Sequence, residues 1–212
     1  LFMPAVLFSP VAEAQARKEI AFPDLPGKLT LKCDFHMHTV FSDGYVWPTV
    51  RVKEAWEQGL DAIAITDHLE YQPHSKDVPT QHERPYELAA DSGRQHDLLL
   101  IRGAEITRDT PPGHFNALFL QDINALDTKD LYAVFDAAAA QGAFIFWNHP
   151  EWKGTELGKW GEVQQTLLEK KQLHGIEICN GDVYQAEAHR MATERKLCLL
   201  GNSDSHDPIP EL

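Results

Sequence analysis

The chain has 212 residues, 43% of them hydrophobic, and a formal charge of −13. Its length and apolar content fit one domain whose core folds without staples, and argue against a second full domain. So acidic a balance excludes broad binding of nucleic acid through counterion release, whereas bound divalent cations reverse the local field and leave a small phosphate ester as a reasonable substrate.

Along the chain, residues 1–16 come first: an apolar stretch over residues 1–8, then Val11-Ala12-Glu13-Ala14-Gln15-Ala16, with Arg17-Lys18-Glu19 just after. Small residues at Ala14 and Ala16 have the A-x-A form of a signal-peptidase site. Residues 1–16 are therefore expected to be the remnant of a signal peptide, with a mature start near Arg17 and a periplasmic or secreted product. Residues 17–27, with Pro23-Asp24-Leu25-Pro26-Gly27, read as a linker, and residues 28–212 as the domain. Nothing else approaches the ~20 apolar residues of a membrane span, so none is expected in the mature protein.

Seven short apolar runs predict strands at residues 31–35, 61–66, 98–104, 115–120, 143–147, 175–179 and 197–201. They are nearly continuous in apolar character, as strands covered on both faces must be. Helical stretches fall between most of them, at about residues 48–59, 84–96, 128–141, 159–173 and 184–195. Strand and helix in alternation predict an α/β fold with a parallel sheet, and a run of seven strands fits a single barrel. The link over residues 107–114 is too short for a helix and carries Pro111-Pro112-Gly113, so that pair is expected to be antiparallel or the barrel distorted there. The chain stops before the helix expected after the last strand, which reads as a C-terminal truncation. Cys33, Cys179 and Cys198 lie inside the apolar runs and read as core residues without the spacing of a zinc ribbon or redox pair.

The polar residues at the strand ends carry the chemistry. His36-Met37-His38 follows the first run, and two imidazoles two residues apart in an extended segment share one side. Asp43 follows in Ser42-Asp43-Gly44, where glycine allows a tight turn back onto the same site. Thr66-Asp67-His68 ends the second run and Gly103-Ala104-Glu105 the third. Gly113-His114 precedes the fourth, Asn148-His149-Pro150 ends the fifth, and Asn202-Ser203-Asp204-Ser205-His206 ends the seventh. In a parallel barrel such ends share one face, where active sites are assembled, and core packing gives no reason to gather imidazoles and carboxylates there. Asp34 and Asp67, each directly before a ligand histidine, read as acceptors that fix an imidazole tautomer. Glu177 stays open between ligand, acceptor and ion-paired core residue. His82, His96, His174 and His189 fall in or beside helices and linkers and read as solvated.

Taken together, HxH with SDG, then TDH, a Glu, GH, NHP and SDSH resemble the PHP family, named for its polymerase-associated and histidinol-phosphatase members. The resemblance covers about residues 31–206. It implies a distorted seven-stranded barrel that hydrolyses phosphate esters with two or three divalent ions. It also implies that His36, His38, Glu105 and Asp204 hold one ion, Glu105, His114 and His149 a second, and Asp43, His68 and His206 a third. Residues 34–74 look closer to secreted bacterial PHP phosphodiesterases than to cytosolic histidinol phosphatases. Asn180 departs from members that place another potential ligand there.

Histidine and carboxylate donors without thiolate suit Mn or Zn, and also Fe, whereas Mg wants more oxygen. A bridging Glu105 would set two ions close enough to share a hydroxide for in-line attack on phosphorus, with His68 beside it and Asp67 to protonate the leaving oxygen. Trp47, Tyr71, His74, Arg108 and Trp152 lie on loops of the same face and are the expected substrate contacts. Small phosphodiesters are the expected substrates, ahead of phosphomonoesters. An amidohydrolase, which also opens on HxH, fits less well because TDH and SDSH do not belong to that pattern. A non-catalytic metal-binding module is the reading from another class.

Overall fold

Each of the seven apolar runs forms a strand in the computed structural model of the protein, which describes residues 17–209. In chain order the elements are β1 (Cys33–Asp34), α1 (Pro48–Glu57), β2 (Ala62–Ile65), α2 (Arg84–Gln95), β3 (Leu99–Ile106), β4 (Phe115–Leu118), α3 (Leu131–Ala140), β5 (Phe144–Trp147), α4 (Glu162–Glu169), β6 (Gly175–Asn180), β7 (Val183–Tyr184), α5 (Ala186–Arg195) and β8 (Cys198–Asn202). A short 3-10 turn, Asn124–Leu126, precedes α3. The sheet runs β1-β2-β3-β4-β5-β6, with β8 also paired to β6, and curls into a half-barrel.

Two features differ from an all-parallel barrel. β4 is antiparallel to both β3 and β5, since residues 107–114 turn the chain straight back instead of carrying it across the sheet on a helix. Its amino end therefore shares a face with the carboxyl ends of the other strands, which brings His114 to that face from the start of a strand. The second feature is β7, which the apolar pattern does not announce. It is two exposed residues long and extends the edge of β6 at Cys179 and Asn180, beyond the Gly175 and Ile176 that β5 pairs.

Packing follows the alternation along β2. Ile63 and Ile65 face outward onto Val52 and Ala55 of α1 and Ala89 of α2, while Ala64 joins Leu118 and Phe146 in a separate small cluster. The largest cluster joins Phe115, Ile145, Trp147 and Ile176 to Phe135 of α3, Leu167 of α4 and Met191 of α5. The seam between β8 and β1 is tied just past the strand ends. His38 N–H donates to the Ser205 carbonyl at 3.0 Å, Asp204 N–H to the His36 carbonyl at 2.9 Å, and Phe35 N–H to Asn202 Oδ1 at 2.9 Å.

Some sequence expectations need correction. None of the three cysteines is fully buried: Cys33 and Cys179 are half-buried, and Cys198 is exposed at the start of β8. The four histidines read as solvated are half-buried and mostly bonded within the fold. His174 Nδ1, for example, accepts from Ile145 N–H at 3.0 Å, and His96 Nδ1 lies 2.8 Å from the Ser92 carbonyl. The expected leader, residues 1–16, lies outside the described residues. Residues 17–27 form no helix or strand and run exposed, with Arg17 bound to Asp61 at 2.6 Å. Among the described residues no helix is long and apolar enough to cross a membrane.

Candidate metal centre

All nine expected ligands converge at the end of the half-barrel where the seam is tied. Glu105, fully buried in β3, is the hub. Its Oε2 lies 3.2 Å from His36 Nε2, His38 Nε2 and His68 Nδ1, and its Oε1 lies 2.7 Å from His114 Nδ1 and 3.9 Å from His149 Nε2. Asp204 Oδ1 approaches His36 Nε2 at 3.2 Å and His38 Nε2 at 3.1 Å, and its Oδ2 is 3.8 Å from His149 Nε2. Asp43 Oδ1 meets His206 Nε2 at 3.2 Å, His68 Nε2 at 3.5 Å and His38 Nδ1 at 3.6 Å.

Four groups of donors lie close enough to share an ion: His38, Asp43, His68 and His206; His36, His149 and Asp204; His36, His38 and Glu105; and His68, Glu105 and His114. The Asp43, His68 and His206 set stands together, joined by His38. His149 sits nearer His36 and Asp204 than the set implied by resemblance has it. His68 belongs to two groups, but its Nδ1 is 2.6 Å from Thr107 Oγ1, which leaves Nε2 as the free donor, directed at the Asp43 set.

The donor set fits divalent ions on a physical ground. His38 Nε2, Asp43 Oδ1, Glu105 Oε1, His114 Nδ1, His149 Nδ1 and Asp204 Oδ1 are buried and lack a well-aligned hydrogen-bond partner. Orphaned polar atoms are rare in folded proteins, and six on the residues of one site, five of them facing one another there, mark a missing partner. Electrostatics agree. Burial works to lower the His38 pKa, but the Asp204 and Glu105 carboxylates outweigh it and push it up to about 9. The same contest raises His36 well above the ordinary imidazole value through Asp204, Glu177 and Glu105. Burial alone would raise Glu105, yet His68, His36 and His114 hold it well below the usual carboxylate range. The carboxylates thus favour positive charge on these two imidazoles, a role that bound cations would fill.

Surrounding residues aim the ligands. Glu177, left open from sequence, is buried and accepts from or contacts four groups. His36 Nδ1 is 3.0 Å from its Oε1, Asn202 Nδ2 donates to the same oxygen at 2.8 Å, and His149 N–H and Asn180 Nδ2 donate to Oε2 at 2.9 and 3.0 Å. It is a carboxylate that orients a ligand imidazole. Asn180 also donates to Asp204 Oδ2 at 3.0 Å, so the departure from the family pattern supports a ligand. His149 and Asp204 both have positive φ, 26° and 54°, a strained backbone for residues other than glycine that is held by these bonds.

Sequence reasoning did not single out Arg51, whose apolar surroundings in α1 gave no signal. Its guanidinium is fully buried and donates to the carbonyls of His38, Ser205, His206 and Asp207, and to Glu54 at 2.8 Å. It clamps the β1 loop to the β8 loop directly behind the ligands.

Other expectations shift. Asp34 and Asp67 do not touch imidazoles. Asp34 accepts from the His36 and Ser203 backbone N–H groups, and Asp67 accepts from Thr39 N–H at 2.7 Å, Thr39 Oγ1 at 2.6 Å and Ser42 Oγ at 2.6 Å. With both oxygens engaged in fixing the β1 loop, Asp67 does not line the metal cavity and is not placed to protonate a leaving group. That cavity, about 570 Å³, is lined by seven of the nine candidate ligands, all but His36 and His38 which lie beneath it, together with Tyr71, Arg108, Trp152 and Lys153. Trp47 and His74 lie outside it. Trp47 packs on Phe41 at 5.5 Å where α1 begins, and His74 packs on Tyr45 at 5.9 Å. Arg108 is already engaged by Glu70 and by the Thr107 and Thr128 carbonyls.

Gly44 serves close approach and not a positive φ. A Cβ there would lie 2.8 Å from the His38 carbonyl carbon and 2.8 Å from Thr39 N. Gly44→Ala must therefore push the Asp43 loop off the β1 loop. The expected result is loss of one ion per chain by plasma mass spectrometry, the Asp43, His68 and His206 ion, with the fold retained by circular dichroism. Unchanged stoichiometry would separate Asp43 from the ligand set.

A profile of the PHP domain family matches residues 34–195. The chain is 50% identical to a Bacteroides vulgatus two-domain protein whose crystal structure contains a predicted PHP-like metal-dependent phosphoesterase, with a TM-score of 0.89 over 92% of this chain and 57% of that one. A structure from Bifidobacterium adolescentis, a candidate metal-dependent phosphoesterase, matches with a TM-score of 0.65 at 17% identity, over 85% of this chain and 89% of that chain, and shows the fold alone. An uncharacterized protein of Methanocaldococcus jannaschii is 35% identical over 83 residues, 38% of this chain and 36% of its own length. The chain thus spans little more than half of the Bacteroides protein and about a third of the archaeal one.

Proposed function

We propose that this chain, which belongs to the PHP domain family, hydrolyses phosphate esters with two or three divalent ions as cofactor, and small phosphodiesters in preference to phosphomonoesters. The observation that carries the reading is the convergence of nine histidine and carboxylate residues at one site, seven of them lining one cavity, with six of their buried donor atoms unpartnered. When bound, such ions neutralise phosphoryl oxygens and bring the pKa of water towards neutrality, the Lewis-acid chemistry that phosphoester hydrolysis needs. Mn or Zn suits the donors best, with Fe also compatible.

The chain's own part is positioning. Glu105 holds four imidazoles in register through two oxygens, and Glu177, Thr107, Ser42 and Asn180 fix the angles of His36, His68, His38 and Asp204. Because these groups are buried and already oriented, little reorganisation is left for the reaction itself.

The diester preference rests on the cavity walls. A diester brings one negative charge and a second organic arm, so it asks for apolar wall and little free cation. Tyr71 and Trp152 supply the wall. Arg108 is bound elsewhere, and the Lys153 ammonium lies 4.4 Å above the Trp152 ring, so neither is a free clamp for a dianion. Bis(4-nitrophenyl) phosphate is expected to show a higher kcat/KM than 4-nitrophenyl phosphate with the same metal, since both release the same leaving group. A monoester preference of tenfold or more would make the protein a phosphatase and leave the metal centre standing.

A further inference from the structure

The metal cavity adjoins a second one of about 400 Å³, and the two share His149, Trp152 and Asn180. One wall of the second cavity is the loop after β5, with Thr155; the other is the β6–β7 ribbon, with Val183 and Tyr184. Trp152, Val183 and Tyr184 are all more than half exposed, at 51%, 58% and 58%. Three large apolar side chains left open around one hollow beside a metal centre suit a ligand better than solvent.

The walls are built, not ragged. Gln185, buried at the end of the ribbon, accepts from Glu151 N–H at 2.8 Å, and its own N–H donates to the Ile178 carbonyl at 2.8 Å. Glu151 Oε1 in turn accepts from Ala188 N–H at 2.9 Å. These bonds fix the Trp152 loop against the start of α5, so the hollow exists before anything enters it, which lowers the entropic cost of binding. Tyr184 is held too, with its hydroxyl 2.6 Å from His189 Nδ1.

Charge decides what enters. No lysine or arginine lines this second cavity among the described residues, and its one carboxylate, Glu151, is spent on Ala188. A second phosphate would find no lysine or arginine among the cavity's lining residues, whereas an uncharged flat ring would find two aromatic side chains, Trp152 and Tyr184.

We propose that this second cavity is the subsite for the organic arm of the phosphate ester, that the arm is aromatic, and that Tyr184 and Trp152 are its specificity-determining contacts. The inference rests on the phosphoesterase reading and names the substrate class for that site: esters whose phosphorus sits at the ions while an aromatic group attached to it lies against Tyr184.

The test uses phenylphosphonate and methylphosphonate, which carry the same phosphorus head and are not hydrolysed. Isothermal titration of the metal-loaded protein is expected to show phenylphosphonate binding about tenfold more tightly. Tyr184→Ala should remove that advantage and leave methylphosphonate affinity unchanged, Tyr184→Phe should keep it, and Thr155→Trp, which fills the hollow from the other wall, should abolish it without touching Tyr184. Equal affinities for the two ligands in the wild type, or an advantage that survives both Tyr184→Ala and Thr155→Trp, overturns the subsite while leaving the phosphoesterase intact. Failure of both phosphonates to bind, with no phosphate ester turned over by the metal-loaded protein, refutes the phosphoesterase reading and the subsite with it.

Discussion

Glu105→Gln is expected to lower kcat/KM for any phosphate ester by on the order of 10³ or more. The amide has nearly the carboxylate's shape, so the cavity is not opened. What changes is charge and donor type: one end of the amide is an N–H₂ that repels both a cation and a protonated imidazole. Glu105 has His36, His38 and His68 around one oxygen and His114 at the other, so no rotation of the amide keeps an acceptor towards both sides. Circular dichroism should remain that of the wild type while turnover collapses. Activity within tenfold of wild type, with the full complement of metal present, would show that Glu105 is not the residue that joins the ions.

Arg51→Met should produce the largest loss of stability of any substitution away from the ligands. It removes the guanidinium donor from four backbone carbonyls and the positive charge from the nearly buried Glu54, and the Ser205 and His206 carbonyls keep only one backbone N–H donor each. Removing one member of a buried ion pair costs about 3–5 kcal/mol, so the melting temperature of the metal-free protein should fall by roughly 10 °C. Lysine at the same position should recover only part of this, because one ammonium cannot reach the carbonyls that a guanidinium fork spans. The effect should reach the metal centre as well, since His38 and His206 hang on the clamped loops. A melting temperature within about 2 °C of wild type would reduce Arg51 to a bystander.

Most of the candidate ligands were legible in the sequence because their signal is local: all but Asp43, which comes from the turn after the first strand, sit next to an apolar run, and the ends of barrel strands share a face. That logic placed even His114, although it lies before its strand, since a short Pro-Pro-Gly link announced a reversal. What stayed hidden depends on contacts far apart in the chain. Glu177 reaches His36 across 141 positions and Arg51 reaches Ser205 across 154, and no spacing rule joins such pairs. Asp67 misled for a related reason. Adjacent to His68 in sequence, it points the other way in an extended segment and spends its oxygens on Thr39 and Ser42. Trp47 was misplaced because at the start of α1 its ring leans on Phe41 and stays exposed outside the metal cavity. The β7 ribbon, with two exposed residues, carries no periodicity to read, and with it the second cavity was invisible.

The most direct measurement is metal content per chain, by plasma mass spectrometry after dialysis against Mn or Zn, read beside release of 4-nitrophenolate from bis(4-nitrophenyl) phosphate by the same preparation. Two or three ions per chain are expected, with turnover that disappears on chelation and returns when metal is restored. A chain that holds one ion or none at saturating metal, or that fills with ions and hydrolyses no phosphate ester, would contradict a multi-metal phosphoesterase.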